Sequence, residues 1–344
     1  MTVARSQLVD VHVTPWYHVI SKTVRGAKLL GQGQQDRKQW IEDRLEELSR
    51  VFAIEVAGFA VLDNHLHVLV RLSPERVSAW TDKEVVRRWV SLFPPRGADR
   101  KPLEISESWL DETAQDTFFV MKARQRLADL GWFMKSLKEP LARRANREDD
   151  CTGAFWQGRY KSIAILDDEA LLATCAYIDL NPVAAGIAQT PESSPHTSIR
   201  SRVQHCRDQG RLADLQAARG GSVAAGRAAA GMDDSHWLCP MGDARGRGGA
   251  RVGVLEGLSL GTYLELVEWT SRLVRKGKAR VGSEVASIFD RLGTNAEIWR
   301  STMERLLSRP RQLGVAFAFK RERLMAAAEI RGCHHVANLN GCRA

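Results

Sequence analysis

Cysteine is scarce in this chain of 344 residues: six copies, at positions 151, 175, 206, 239, 333 and 342, with no pair at CxxC spacing. Such scatter excludes a disulfide framework and a zinc ribbon, and it predicts reduced thiols. No run approaches the roughly 18 to 20 apolar residues that a membrane helix needs. The opening MTVARSQLVDVHVTPWYHV also lacks the apolar stretch of a secretion signal. A cytoplasmic chain with no membrane partner is therefore the expectation. With 26% charged and 44% apolar residues, the composition excludes wholesale disorder and collagen-like or fibrous structure.

Fifty basic residues against 41 acidic ones give a formal net charge of +9, and the excess is unevenly placed. Residues 1–190 carry 26 of each sign, whereas 191–344 carry 24 basic and 15 acidic side chains. A basic half fits a polyanionic partner, because Lys and Arg gain by displacing the counterions condensed on nucleic acid. It fits a merely soluble surface as well.

Residues 11–24, VHVTPWYHVISKTV, read as a strand broken near Pro15, and DRKQWIEDRLEELSRVF as an amphipathic helix capped by Asp36. FAIEVAGFAVLDNHLHVLVRL is two β-rich runs about Asp63 and Asn64, a hairpin from about Ala53 to Leu72. Residues 73–124 look like an insertion with one helix, TDKEVVRRWVSLF. A longer helix, ARQRLADLGWFMKSLKEPLARRAN, should bend or end at Pro140. FWQGRYKSIAILD is a further strand candidate, followed by the helix DDEALLATCAYIDLNP, which Asp167 can cap and Pro182 should stop. This order predicts an α+β sandwich with a central antiparallel sheet. Residues 191–255, rich in Ser, Pro, Gly, Ala and Arg, read as linker, 256–330 as a small helical basic extension, and 331–344 as a tail.

The strongest local chemical signal is Asn64-His65-Leu66-His67. Side chains two apart on a strand face the same way, so His65 and His67 would present two imidazoles together, half of a divalent metal site. Alone, the pair is better described as two partly exposed hairpin histidines, and a third ligand is needed. The second signal is Tyr177-Ile178-Asp179-Leu180-Asn181-Pro182, where Tyr177 and Asn181, four apart on a helix, share a face. A helical Tyr by itself is ordinarily a core residue.

Together these segments resemble the tyrosine transposases of the insertion-sequence 200 type, in particular their relatives associated with repetitive extragenic palindromes. WYHVISKTVRG, NHLH, FWQGRY and YIDLNPVAAGI occur in that family's order, over approximately residues 10–190. The resemblance implies a ferredoxin-like sandwich with helices on one face of its sheet. It also implies a nuclease that cuts single-stranded or hairpin DNA, in which His65 and His67 hold Mg²⁺ or Mn²⁺, Asn181 is the third ligand, and Tyr177 is the nucleophile. Such enzymes rejoin strands through a covalent phosphotyrosine, act in the cytoplasm at the nucleoid, and are monomers or homodimers. Asp179 stands where those relatives often have a His, so a role for that position is not carried over.

Lys22, Arg25, Arg159 and Lys161 are candidate phosphate contacts, and so are Arg275, Lys276 and Lys278 in the basic run RLVRKGKAR. Solvated surface explains each of them as well. Trp16, Trp132 and Trp156 are either stacking platforms for unpaired bases or core residues. CHHVANLNGC, residues 333–342, matches no zinc template. Two other functions stay open: a domesticated protein that binds DNA hairpins without cutting them, and a metallohydrolase working through activated water.

Overall fold

The computed structural model describes residues 8–31, 36–218, 231–246, 249–276, 289–290, 292–308 and 316–330. At its centre is a βαββαβ unit. It begins with β1 (Trp16–Lys22), α1 (Arg37–Val51), β2 (Ile54–Val61) and β3 (His65–Leu72). After α2 (Pro74–Ala79), α3 (Asp82–Leu92), α4 (Glu107–Thr113) and α5 (Thr117–Leu127) come the long α6 (Leu130–Glu148) and β4 (Lys161–Ile165). Next are α7 (Asp168–Ala184), α8 (Ser198–Asp208), α9 (Leu212–Ala218) and a ribbon of β5 (Ala244–Gly246) and β6 (Gly249–Arg251). The last described elements are α10 (Leu260–Lys276), α11 (Ala296–Ser308), β7 (Ala316–Phe317) and α12 (Arg321–Ile330).

Strands lie in the order β2-β3-β1-β4-β7, antiparallel throughout except for the short β4–β7 pair, which is parallel. Order and connectivity of the first four strands make the unit a ferredoxin-like sandwich, as expected. Alternation along the strands divides the core in two. Tyr17, Val19, Val68, Val70 and Ala164 join α1 and α6 on one face. Ile20, Leu69, Ile163 and Ile165 join α7, α8, α10 and α11 on the other. The unit's own two helices thus share a face, but the rest of the chain covers the second face, so helices lie on both sides of the sheet.

Local signals explain most boundaries. The Asp36 carboxylate accepts from the backbone N–H of Lys38 and Gln39 at the start of α1, and Asp167 accepts from Ala170 N at the start of α7. Pro140 was expected to bend or end α6, yet the helix runs eight residues further, to Glu148. The Pro140 ring has no N–H to give the Ser136 carbonyl, and the Arg44 guanidinium from α1 donates to that carbonyl instead, at 3.2 Å. Pro182 likewise falls inside α7, which ends two residues later at Ala184. The strand expected from Phe155 begins only at Lys161; before it, Trp156 makes a single bridge to Thr23.

The stretch read as linker contains α8, built into the molecule by a buried cation. Arg202 donates to Asp233 Oδ2 at 2.6 Å and to the carbonyls of Ala57 and Cys239 at 3.0 and 2.6 Å. The C-terminal helices, read as an appendage, share a core with α7 through Tyr263, Val267 and Trp299. α7 is itself anchored by Asp179. This buried carboxylate accepts from Ser198 Oγ at 2.6 Å, Ile199 N at 2.9 Å and Tyr263 Oη at 2.5 Å.

A hydrogen bond to a buried charged group is worth about 1.5–3 kcal/mol. Tyr263→Phe, which deletes only the donor, is expected to lower the stability of the whole chain by that amount in urea denaturation. An unchanged midpoint would mean that α10 does not hold α7 through Asp179.

Candidate active site

The two imidazoles project from β3 toward α7. In the antiparallel register Ile20 lies opposite His67 and Lys22 opposite His65. His65, His67 and Leu69 therefore share the face covered by α7, and β1 adds Ile20 and Lys22 beside them. β1 also brings a residue that the sequence reading passed over. His18, 1% exposed, lies on the same strand face as Ile20, with Nε2 at 2.9 Å from Nδ1 of His67. Its signal was available: in WYHVISK the alternation that places Ile20 and Lys22 on this face places His18 there too.

Hydrogen bonds fix which nitrogens face the site. His65 Nδ1 is 2.6 Å from Asn64 Oδ1, which can only accept, so the proton sits on Nδ1 and Nε2 is bare. For His67, a proton on Nδ1 donated to His18 Nε2 leaves Nε2 as the acceptor that Asn181 Nδ2 approaches at 3.5 Å. Burial keeps these rings neutral. Desolvation pushes His18 down to about 3, with Lys161 adding to the effect, and His65 down to about 4, with Lys22 adding. His67 is held well below its ordinary value by burial first, and then by the adjacent His18, His65 and Lys22, beside which a further positive charge is disfavoured.

Tyr177 is 3% exposed and stands edge-on to both inner rings, 5.4 Å from His67 and 5.9 Å from His18 between centroids. Burial pushes its phenol up to about 12, opposed by a hydrogen bond from the Asn181 amide. The ring is not sealed in: Tyr177, His65 and His67 line one cavity of about 310 Å³ with Ile20, Lys22, Gln157, Arg159 and Lys161.

Three of the four candidate cations in the first half of the chain meet there. Lys22, Arg159 and Lys161 line the cavity, Arg159 from the loop before β4 and not from the strand itself. Arg25 does not line it; it sits exposed in the turn after β1 at φ 54°. Lys278 lies outside the described residues, as do the side chains of Arg275 and Lys276 at the end of α10. The 333–342 cluster is outside them too. Among the stacking candidates, Trp156 is buried, while Trp16 and Trp132 are half-buried.

The donor set fits a divalent ion. Two neutral imidazoles offer bare Nε2 atoms, and rotating the Asn181 amide exchanges its nitrogen for its oxygen. Neighbouring ligands of an octahedral ion with bonds near 2.1 Å lie about 3 Å apart, and His67 Nε2 and the Asn181 amide are 3.5 Å apart. Among the described residues no three His, Cys, Asp or Glu side chains form a metal-holding group, so the set rests on the amide as its third member. Imidazole donors suit Mn²⁺ better than the strongly oxygen-seeking Mg²⁺.

A larger cleft, about 960 Å³, shares no lining residue with this cavity and includes Glu42, Glu46, His196, His205 and His236. His236 is 5% exposed, accepts from Leu238 N and contacts Ser201 Oγ at 3.3 Å. Desolvation, with Arg202 adding, pushes it down to about 2.

No protein-family model matches the sequence, and no curated protein matches it. Among solved structures, one described as "Structure of the REP associates tyrosine transposase bound to a REP hairpin" is similar over 55% of this chain and 78% of that one, at 15% identity and a TM-score of 0.33. Likeness at that level says nothing of chemistry here, and the functional reading rests on the residues. Among the described residues no helix is long and apolar enough to cross a membrane.

The depressed pKa of His236 makes stability depend on pH. Its folded-state value lies below the unfolded value of about 6.5, so its contribution is complete above that pH and is lost as pH falls toward the folded value. Between pH 7 and pH 5 the loss from this one ring is about 2 kcal/mol. Urea midpoints at the two pH values should show it, and His236→Gln should flatten the difference by that amount.

Proposed function

We propose that the chain is a metal-dependent DNA strand transferase of the single-tyrosine type, which cleaves and rejoins single-stranded or hairpin DNA through a covalent phosphotyrosine. The observation that carries this reading is the convergence of Tyr177, His65 and His67 on one cavity rimmed by Lys22, Arg159 and Lys161, with the Asn181 amide 3.5 Å from His67 Nε2. Among the residues lining it there is no carboxylate. A phosphodiester entering it meets cations, bare imidazole nitrogens and a phenol, and no opposing charge.

His65, His67 and Asn181 would hold the ion, Mn²⁺ or Mg²⁺, whose contribution when bound is to polarise a phosphoryl oxygen. Lys22, Arg159 and Lys161 hold the phosphate by charge. The oxygen of Tyr177, losing its proton, attacks phosphorus; the new O–P bond forms as the bond to the 3′-oxygen breaks, and that oxygen takes up a proton to leave a free 3′-hydroxyl. The phosphotyrosine keeps the bond energy, so a second 3′-hydroxyl can reverse the step on another end without ATP.

Tyr177→Phe keeps the ring and removes the nucleophile. Incubated with end-labelled single-stranded DNA and Mn²⁺, the native chain is expected to form a protein–DNA adduct that survives denaturation, and the variant none; His65→Ala should also lose cleavage. An adduct with the variant would exclude Tyr177. Cleavage that persists without any adduct would instead support hydrolysis by activated water, and hairpin binding with no cleavage by the native chain would support a pure binder.

His18 enters the same scheme through His67. His18→Phe leaves His67 Nδ1–H without its acceptor, and loss of such a supporting contact typically weakens metal affinity roughly 10- to 100-fold. Titration calorimetry with Mn²⁺ should show the drop, and His18→Asn should recover part of it.

A further inference from the structure

α6 borders a further groove that shares a lining residue, Arg159, with the cavity of Tyr177. One side of the helix is core: Leu130, Phe133, Met134, Leu137, Leu141 and Ala145 are buried. The next stripe along it, Gly131, Lys135, Lys138, Ala142 and Asn146, recurs at intervals of four, three, four and four residues. It faces the loop before β4 across a groove of about 880 Å³. Trp132, Trp156 and Tyr160 add aromatic surface to the walls.

The groove is net positive: with the Glu139–Arg143 pair set aside, Lys135, Lys138 and Arg159 face the single carboxylate of Asp129. Its lining carries Lys135, Lys138, Arg143 and Arg159 against Asp129 and Glu139. Glu139 is paired with Arg143 on the helix surface. Asp129 is engaged as the cap of α6, accepting from Trp132 N at 2.8 Å. Lys135 and Lys138 stand over indole rings, Lys135 Nζ at 4.7 Å from the centroid of Trp132 and Lys138 Nζ at 5.2 Å from that of Trp156. Lys138 also donates to the Gly158 carbonyl at 3.0 Å, which fixes the loop against the helix.

Continuity decides what this surface is for. Arg159 lines both the groove and the cavity that holds His65, His67 and Tyr177. Gly153 and Gly158, at φ 110° and 107°, take the connecting loop through backbone conformations that other residues rarely adopt. A cationic, aromatic-lined groove beside a pocket that can take a phosphate suits an unpaired strand: bases gain from ring faces and apolar wall, phosphates from the lysines. Duplex DNA gains less, because its bases are already stacked on one another.

We propose that this groove seats the single-stranded DNA flanking the scissile phosphate, with its backbone along Lys135, Lys138 and Arg159 and its bases against Trp132 and the apolar wall. The proposal rests on the strand-transfer reading for its direction, since the strand runs toward Tyr177. The stripe from Gly131 to Asn146 spans about 22 Å at 1.5 Å per residue, room for roughly four nucleotides, the lower end of single-strand site sizes.

Fluorescence anisotropy with a labelled oligothymidylate 12-mer and EDTA, which measures binding without cleavage, tests it on the chain of 344 residues. Lys135→Glu, at an exposed position, is expected to weaken single-strand binding at least about tenfold and to lower the salt dependence of log K by roughly 0.7. Lys138→Gln should weaken it further. Lys101→Glu, an equal charge change at an exposed residue outside the groove, should have little effect. Equal losses for Lys101→Glu and Lys135→Glu, or an equal loss of duplex binding, would overturn the proposal, as would native affinity in Lys135→Glu. If the Lys135 effect appears while the native chain forms no adduct, the groove stands and the cleavage reading fails.

Discussion

The placement of the candidate site depends on one buried carboxylate. Asp179, 2% exposed, lies in the middle of α7, the helix that carries both Tyr177 and Asn181. Burial raises its pKa, and donors on two other elements oppose that rise. Ser198 and Ile199 bring the N-terminus of α8, and Tyr263 brings α10. Ser198 also accepts from Phe59 N in β2 at 3.0 Å, so the same network reaches the sheet. Two residues along a helix turn it by about 200°. Asp179 therefore points away from the Tyr177–Asn181 face, and its anchorage leaves that face aimed at the imidazoles.

That arrangement gives Asp179 a structural role where the family resemblance left the position open. It also explains why the C-terminal part of the chain is not an appendage. Breaking a buried charge away from its partners costs several kcal/mol, because the charge has no water to return to. α8 and α10 cannot separate from α7 without exposing or orphaning this carboxylate. Arg202 repeats the device one turn along α8, tying it to Asp233 and to the backbone of β2 through Ala57. Sequence local to α7 encodes the nucleophile candidate; sequence as far as 84 residues beyond Asp179 encodes where it stands.

This division accounts for what could be read beforehand. Strand β1, the β2–β3 hairpin, α1 with its Asp36 cap and the sharing of one face by Tyr177 and Asn181 are set by period and local capping, and they were legible; β5, β6 and β7 were not, being too short to show a period of their own. His65 and His67 were legible because a strand's period of two puts them together. Pro140 misled because its effect depends on a donor, Arg44, that reaches it from another helix. The packed α8 was hidden because its composition is polar, and only the tertiary partner Asp233 shows that Arg202 is interior. His18 was missed because its meaning is relational: one strand pairing brings its ring to Nδ1 of His67. Arg25 was a candidate by charge alone, and the turn at Val24–Gly26 carries it away from the cavity.

The cavity's electrostatics bear on how a buried phenol could serve as a nucleophile. With its pKa pushed up to about 12, Tyr177 is fully protonated near neutrality. The cations at the mouth are themselves in tension: burial and the nearby charge of Lys22 lower the pKa of Lys161. A phosphodiester between them relieves that repulsion, so the lysines have more to gain from an anion than isolated surface lysines do. The neutral histidines add no competing positive charge and keep their lone pairs available. The same burial that holds the phenol protonated in the free chain also strips water from around it, and there any positive charge brought close acts at a lower effective dielectric. On the proposed reading, a protonated phenol in a cavity lined by cations and by no carboxylate would become a nucleophile only once the site is loaded, which gives a physical reason for a tyrosine so well buried to lie beside an opening and not deeper in the core.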